Sequence, residues 1–361
     1  MKIALVHDWL LKLGGAERVL IELHRMYPTA PIYTLFYDRP FVRHFLPNAE
    51  IRSSNLQRIP LITKNYPLAT LLMPSAIESF DFSDFDTVIS SSVTFSKGLV
   101  LRPGTRHICY CYSPSRMLWD RNAEYERRGI LSGLTRHFLR IWDRSSADRV
   151  DQFIAISKTV QDRIKKYYGR DSIVIYPPTH KWAEGSGQKA VLEPTKLQAT
   201  SYYLLVSRLH PHKNIDIAIE AFNKLGYNLA IVGDGPLRKR LEKISNRNIF
   251  FTGPVNDATL AACYQSCKAL IMPQEEDFGL TPLEAMSFGK PVLALRKGGA
   301  LETIQEGITG EFFDDPIPEA LADGVKRLNQ NYNSYNPDLI RQQSSQFSLD
   351  RFKEEIKKVI Q

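Results

Sequence analysis

Residues 269–295 read ALIMPQEEDFGLTPLEAMSFGKPVLAL, and their order decides the fold. Two apolar runs, ALIMP and PVLAL, bracket a loop that passes into helix-forming residues. Near-continuous apolar runs that alternate with helices belong to parallel strands covered on both faces. Proline at 282 suits the first turn of that helix, where no amide is needed as a donor. The amides from Gly279 to Thr281 are then available to a ligand, and the helix dipole favours a negative group at this end. Glu276 hangs in the loop and Glu284 falls in the expected first turn, so both carboxylates can face one bound molecule. Carboxylates are strong acceptors for paired sugar hydroxyls. A plainer alternative makes Glu275, Glu276 and Asp277 a solvated acidic run and Glu284 an acid suited to the dipole.

The same pattern extends in both directions. Upstream lie YYLLVS (202–207), LAIVG (229–233) and IFFTG (249–253). The first half carries IALV (3–6), DTVI (86–89), HICYCY (107–112), FIAI (153–156) and SIVIY (172–176). An α/β arrangement therefore occurs twice, as two doubly wound parallel sheets. A chain of 361 residues also exceeds what one hydrophobic core accommodates. Between the two series, PPTHKWAEGSGQKAVLEPTK (177–196) is rich in Pro, Gly and charge and lacks a sustained period, which places the boundary there. The expected domains are 1–178 and 179–345, followed by a helix at 346–361 that can cross back to the first domain. That helix has Phe347, Phe352, Ile356 and Ile360 at helical spacing and Ser348 as its N-cap. Ligands on such sheets bind beyond the carboxyl ends of the strands, so a cleft between the two domains is the expected active site.

Bulk properties exclude several classes. At 43% hydrophobic and 24% charged residues, with no long apolar run, the composition is that of a globular protein whose membrane contact would be peripheral. A run of only four apolar residues, IALV, precedes His7 and Asp8, too few for a secretory signal, so it reads as a strand. Cys109 and Cys111 lie far from Cys263 and Cys267, a poor zinc spacing that favours buried thiols in a reducing cytoplasm. Net charge is +8, and fifteen Arg and Lys against seven acids fall between Arg102 and Arg170. That excess suits phosphates or an anionic lipid surface, or is a solvated helical face. No helix-turn-helix, zinc finger or RNA-binding aromatic signature is present, which argues against nucleic acid as a partner.

Other strand ends supply further candidates. In VSRLHPHKNIDIAIEAF (206–222), Arg208 and Lys213 stand between a strand and a helix, where guanidinium and ammonium groups can grip phosphate oxygens. The turn VGDGP (232–236) uses its glycines to keep side chains out of the ligand's way. Pro254 and Val255 follow another strand and can offer backbone to a flat base. Near the start, Gly14 and Gly15 precede an amphipathic helix and expose amides to an anion. They form neither a dinucleotide fingerprint nor a Walker loop.

Taken in order, SRLHPHKN, VGDGP, FTG and PQEEDFGLTPLEAMSFGKPVLALRKGGALET resemble the nucleotide-sugar half of the retaining glycosyltransferases of family 4, which have the GT-B fold. The first half is similar in KIALVHDWLLKLGGAERV, YCYSPSRMLWD and FIAISKTVQDRIKKYYG, so the resemblance covers nearly the whole chain. It implies that Arg208 and Lys213 neutralise the donor diphosphate, helped by backbone from Phe278, Gly279, Leu280 and Thr281 and by Gly14 and Gly15. Glu284 would hold the ribose, Glu276 the transferred sugar, and backbone near Val255 the base. The donor would be GDP-mannose or UDP-glucose, the acceptor a saccharide or a lipid-linked saccharide in polysaccharide synthesis, and no metal would be needed. In one place the chain departs from the pattern: Tyr112 stands where the family has a histidine near the acceptor. His107 lies on the opposite face of the same strand by alternation and is no simple substitute. A catalytically silent nucleotide-sugar-binding partner is therefore the alternative. Peripheral membrane docking through Leu134, Phe138, Ile141 and Trp142 is a further expectation.

Overall fold

The computed structural model describes residues 1–60, 62, 66–120, 133–179 and 201–361. They form two compact units, one of Met1–Pro177 with Lys353–Gln361, the other of Pro178–Phe352. The first unit holds β1 (Ile3–Leu10), β2 (Ile32–Tyr37), β3 (Ile51–Ser53), β4 (Thr87–Ser92), β5 (Arg106–Cys111), β6 (Gln152–Ala155) and β7 (Ser172–Val174). These strands make one parallel sheet in the order β3-β2-β1-β4-β5-β6-β7. The second unit holds β8 (Tyr203–Val206), β9 (Leu229–Val232), β10 (Ile249–Gly253), β11 (Leu270–Met272), β12 (Val292–Leu295) and β13 (Gly310–Phe313). Their order is β10-β9-β8-β11-β12-β13, again all parallel. Strand progression reverses between β1 and β4 and between β8 and β11, so those four carboxyl ends are the places where ligands bind such sheets. Two doubly wound sheets, as the apolar runs predict, are what the chain builds.

Three strands escape the sequence pattern. Hydroxyl-bearing residues break up IYTLFY in β2, IRS in β3 has only three residues, and GEFF in β13 includes a glycine and a glutamate. Strand β1 also runs further than its apolar residues, continuing through His7 and Asp8, both fully buried. Asp8 is tolerated there because its carboxylate accepts from the amides of Val93 (2.7 Å), Thr94 (3.2 Å), Phe95 and Ser96 (3.1 Å) and from the Ser96 hydroxyl (3.0 Å). Buried carboxylates persist only when such donors replace water. One side chain thus shapes the whole exit of β4.

A second buried charge pair lies deeper in this unit. Lys97 meets Asp143 on the helix Gly133–Ala147 and donates to the Thr94 carbonyl at 3.0 Å. The other Asp143 oxygen accepts from the Trp119 indole at 2.7 Å and the Tyr168 hydroxyl at 2.9 Å. On that helix Leu134, Phe138 and Ile141 are exposed, whereas Trp142 turns inward and lies 5.6 Å from the Phe95 ring. Trp142 therefore does not share the face on which the sequence placed it. All four cysteines are buried free thiols.

Candidate active site

At the β8 and β11 switch point the backbone first fixes where the charges sit. Leaving β8, the chain passes exposed Arg208, makes a short turn over Pro211–Lys213 and turns again at Asn214, which adopts φ 50°. Asn214 donates to the Pro273 carbonyl at 3.1 Å, tying this turn to the exit of β11. Lys213 is thereby buried at 8% exposure with its ammonium 2.5 Å from Glu276 Oε1. The same oxygen accepts from the Gln274 amide at 2.9 Å. Lys213 and Glu276, sixty-three positions apart, therefore form one ion pair.

The loop bearing Glu276 is seated on two glycines that follow β12. Gly299 donates its amide to the Glu276 carbonyl at 2.9 Å. A β-carbon on Gly299 would lie 2.3 Å from the Phe278 Cα, and one on Gly298 (φ 64°) 2.3 Å from the Glu276 carbonyl oxygen. Neither position admits a side chain. Phe278 itself is buried against Phe347 with ring centres 5.6 Å apart, so it can offer a ligand only backbone. Gly279 (φ 88°) then caps the helix Leu280–Ser287, where Leu280 and Thr281 lead and stay half-buried.

Glu284 differs from its expected place. The helix begins at Leu280, so Glu284 belongs to its second turn and is buried at 7% exposure. The reading of Glu284 as an acid suited to the dipole does not fit that position. Its Oε2 accepts from the Tyr264 hydroxyl at 2.7 Å, across from the helix Asp257–Ser266. Burial, reinforced by the Glu284 charge, holds the Tyr264 phenol far above its ordinary range, so it remains a donor. Val255 is half-buried two residues beyond β10. The VGDGP glycines serve a purpose other than the expected one: a β-carbon on Gly233 (φ 126°) would lie 2.0 Å from the Ser207 carbonyl oxygen, and one on Gly235 would lie 2.6 Å from that of Leu209. They let this turn pack on the backbone that carries Arg208.

The first unit has its own polar cluster at the β1 and β4 switch point. His7 Nδ1 is 2.9 Å from the Ser91 carbonyl, which can only accept, so that nitrogen carries a proton. Its Nε2 is 3.5 Å from Glu17 Oε1, long for a hydrogen bond yet inside ion-pair range. Burial opposes charge on His7, but the Glu17 contact, the Glu17 and Asp8 charges and the Ser91 carbonyl outweigh it and raise its pKa. Tyr112 donates to the Ala16 carbonyl at 2.9 Å and meets Ser91 Oγ at 3.0 Å. Burial first, and the Glu17 and Asp8 charges after it, push the Tyr112 phenol far up. Its proton is committed to the first turn of the helix Gly15–Met26, whose start at Gly14 and Gly15 is exposed. His107, by contrast, points into the sheet and meets Ser90 Oγ at 2.8 Å, away from any of this.

Gln274, Tyr264, His7, Glu17 and Ser91 were not singled out from the sequence. His7 carried the clearest signal, an ionisable residue inside an apolar strand, which demands a buried partner. Among the described residues no three His, Cys, Asp or Glu form a group able to hold a metal ion, and no helix is long and apolar enough to cross a membrane.

Comparison with known proteins follows the division into two halves. Residues 13–180 match Glycosyltransferase Family 4, and residues 192–342 match Glycosyl transferases group 1. The alpha-1,3/1,6-mannosyltransferase ALG2 of Dictyostelium discoideum is 22% identical over 100% of this chain and 98% of its own length. The uncharacterized glycosyltransferase MJ1178 of Methanocaldococcus jannaschii is 28% identical over 50% of this chain and 50% of its own, so the matched part spans half of that relative. Among solved structures, Anabaena HepE in complex with UDP shares the fold at a TM-score of 0.74 and 18% identity, with 100% of this chain and 99% of that one covered. The same Anabaena protein in complex with UDP-glucose gives a TM-score of 0.73 at 18% identity, with the same coverage of both chains. With a family match on each doubly wound unit and full-length likeness to such structures, the chain belongs to the family 4 type of glycosyltransferases and has their GT-B fold.

Proposed function

We propose that this glycosyltransferase is a retaining hexosyltransferase that takes its sugar from a nucleotide diphosphate, GDP-mannose or UDP-glucose. The acceptor is a saccharide or lipid-linked saccharide of a growing polysaccharide, and the work is done in the cytoplasm. One observation carries the reading: Lys213 and Glu276 meet at 2.5 Å where β8 and β11 end, with Glu284 held in the helix that starts beside them. That is a cation for phosphate and two carboxylates for hydroxyls within one strand-end site. Mannose as the sugar is supported by the mannosyltransferase relatives, and UDP-glucose by what the Anabaena protein binds.

In this reading Arg208 and Lys213 face the diphosphate, with amides from Gly279 to Thr281 adding to them. Glu276 accepts from hydroxyls of the sugar. Glu284, with Oε2 held by Tyr264, presents Oε1 to the ribose, and backbone near Val255 lies along the base. The acceptor oxygen bonds to the anomeric carbon on the face that the phosphate leaves, and its proton passes to the departing phosphate oxygen. Glycoside and nucleoside diphosphate result. The protein stabilises charge on the leaving group and orients the partners, and no metal is called for.

A thermal-shift screen against UDP-, GDP- and ADP-sugars tests the reading, because ligand at about 100 times Kd stabilises the native state by about 2.7 kcal/mol. One nucleotide class should raise Tm, and Glu276→Ala and Lys213→Ala should each cut turnover by orders of magnitude. No shift with any sugar nucleotide would end the proposal. Binding without release of nucleoside diphosphate, with or without acceptor, would instead favour the catalytically silent partner.

A further inference from the structure

We propose that Gln274 is a positioning residue of the donor site: its side-chain amide holds the Glu276 carboxylate in place while the Lys213 ammonium turns from that carboxylate to the donor diphosphate. The inference rests on the transferase reading above and adds to it a residue that touches neither the sugar nor the phosphates.

The backbone on both sides of this side chain is tied down. The Pro273 carbonyl, directly before Gln274, accepts from the Asn214 side-chain amide at 3.1 Å, and the Glu276 carbonyl accepts from the Gly299 amide at 2.9 Å. Between these two ties Gln274 is buried at 3% exposure and donates from Nε2 to Glu276 Oε1 at 2.9 Å. Which end of the amide faces Glu276 is settled by chemistry, because a carboxylate oxygen only accepts and repels a carbonyl oxygen. Gln274 Oε1 is therefore the end turned away, and it lies buried with no hydrogen-bond partner among the described residues.

That orphaned oxygen separates function from packing. Buried polar atoms are ordinarily paired, and an apolar side chain of similar length would fill the same space without stranding an acceptor. Glutamine is thus a costly choice for the fold at this place. The hydrogen bond that it does make goes to the carboxylate proposed to meet the sugar, and departures of this kind from packing rules belong to functional sites.

Charge explains why a neutral donor is needed. Glu276 Oε1 accepts both from the Lys213 ammonium at 2.5 Å and from the Gln274 amide. An arriving diphosphate competes for the ammonium and, being negative itself, repels the carboxylate. The amide has no net charge, so the diphosphate draws it far less, and its hydrogen bond to Oε1 persists as the ion pair loosens. Glu276 then keeps its aim at the sugar hydroxyls. Without the amide the carboxylate would turn toward water, and the sugar would lose its acceptor while the phosphates kept their cations. Gln274 acts only through Glu276.

The test uses the full chain and the sugar nucleotide selected by the thermal-shift screen, with the matching nucleoside diphosphate as the sugarless probe. Calorimetry without acceptor gives both dissociation constants. Gln274→Met keeps the length and loses both polar ends. It should bind the nucleoside diphosphate within about twofold of wild type and the sugar nucleotide about tenfold more weakly, as loss of a hydrogen bond to a charged group implies. Its Tm without ligand should equal or exceed that of wild type, because a stranded acceptor disappears while Glu276 stays paired with Lys213. In a Glu276→Gln background the same substitution should weaken the sugar nucleotide by no more than about twofold further, since a residue that acts through another adds nothing once that one is changed. Equal weakening of both ligands would move Gln274 to the phosphates, and additive losses in the double variant would give it a contact of its own. An unchanged affinity for the sugar nucleotide would show that Glu276 needs no such support, and a Tm about 4 °C or more below wild type would make the amide part of the fold. Each of these overturns the proposal. If wild type binds no sugar nucleotide at all, the transferase reading itself falls and this assignment with it.

Discussion

Replacing Lys213 by methionine separates what its ion pair does for folding from what it does for the donor. The ammonium is 2.5 Å from Glu276 Oε1, and the two side chains are 9% and 25% exposed. Removing one partner of a fully buried pair costs about 3–5 kcal/mol, and the partial exposure of Glu276 scales this to about 2 kcal/mol. For a unit of this size that is a fall in Tm of about 4–8 °C. In the proposed donor site the same substitution removes a charge-assisted contact of about 1.5–3 kcal/mol, so free GDP or UDP should bind about 10–150 times more weakly. Adding Glu276→Gln distinguishes the two effects, because a neutral amide no longer lies stranded beside the missing cation. Calorimetry should then find most of the lost Tm recovered, while titration with nucleoside diphosphate stays weak. If the double variant recovers both, the pair is purely structural. If Lys213→Met alone retains nucleotide affinity within about twofold of wild type, Lys213 does not meet the phosphates.

Other substitutions probe the frame. Burial above all pushes the His107 imidazole down to about 4, while an unfolded histidine takes a proton near 6.5. Between these values the unfolded chain binds more protons than the native one, so stability is full near pH 7 and declines as pH falls toward about 4, by on the order of 3 kcal/mol. Urea titrations of wild type and His107→Gln at several pH values should therefore converge on acidification, and parallel curves would refute the assignment. Asp143→Ala strands the Lys97 ammonium and unpairs Trp119 and Tyr168, with an expected loss of about 3–5 kcal/mol in urea unfolding. Loss below about 1 kcal/mol would mean Lys97 finds another partner. Gly299→Ala sets a methyl where Phe278 backbone already lies and should weaken sugar-nucleotide binding about tenfold or more, whereas Gly133→Ala meets nothing within 4 Å and should bind as wild type does.

The donor edge was largely legible because its signals are local. An apolar run with the loop and helix start behind it is each time read within a window of about twenty residues, once for Arg208 and Lys213 and once for Glu276 and Pro282, and the structure has Arg208, Lys213 and Glu276 just beyond strand ends. Glu284 lies one turn further into the helix than expected because the helix already starts at Leu280, directly after its glycine cap, and there the side chain is buried against Tyr264. Long-range pairings were not legible. Ser91 reaches His7 from eighty-four positions away because β1 and β4 are neighbours only in the folded sheet. Likewise Gly298 and Gly299 were not singled out from the sequence, and the bridge to Glu276 reveals what they support.

That bridge bears on any attempt to change the sugar. Because residues 274–278 rest on a seat supplied by 298–299, exchanging the acidic loop alone with that of a relative would set it on a mismatched footing. On the proposed role of Glu276, a chimera that moves both segments together transplants the sugar contact with its foundation.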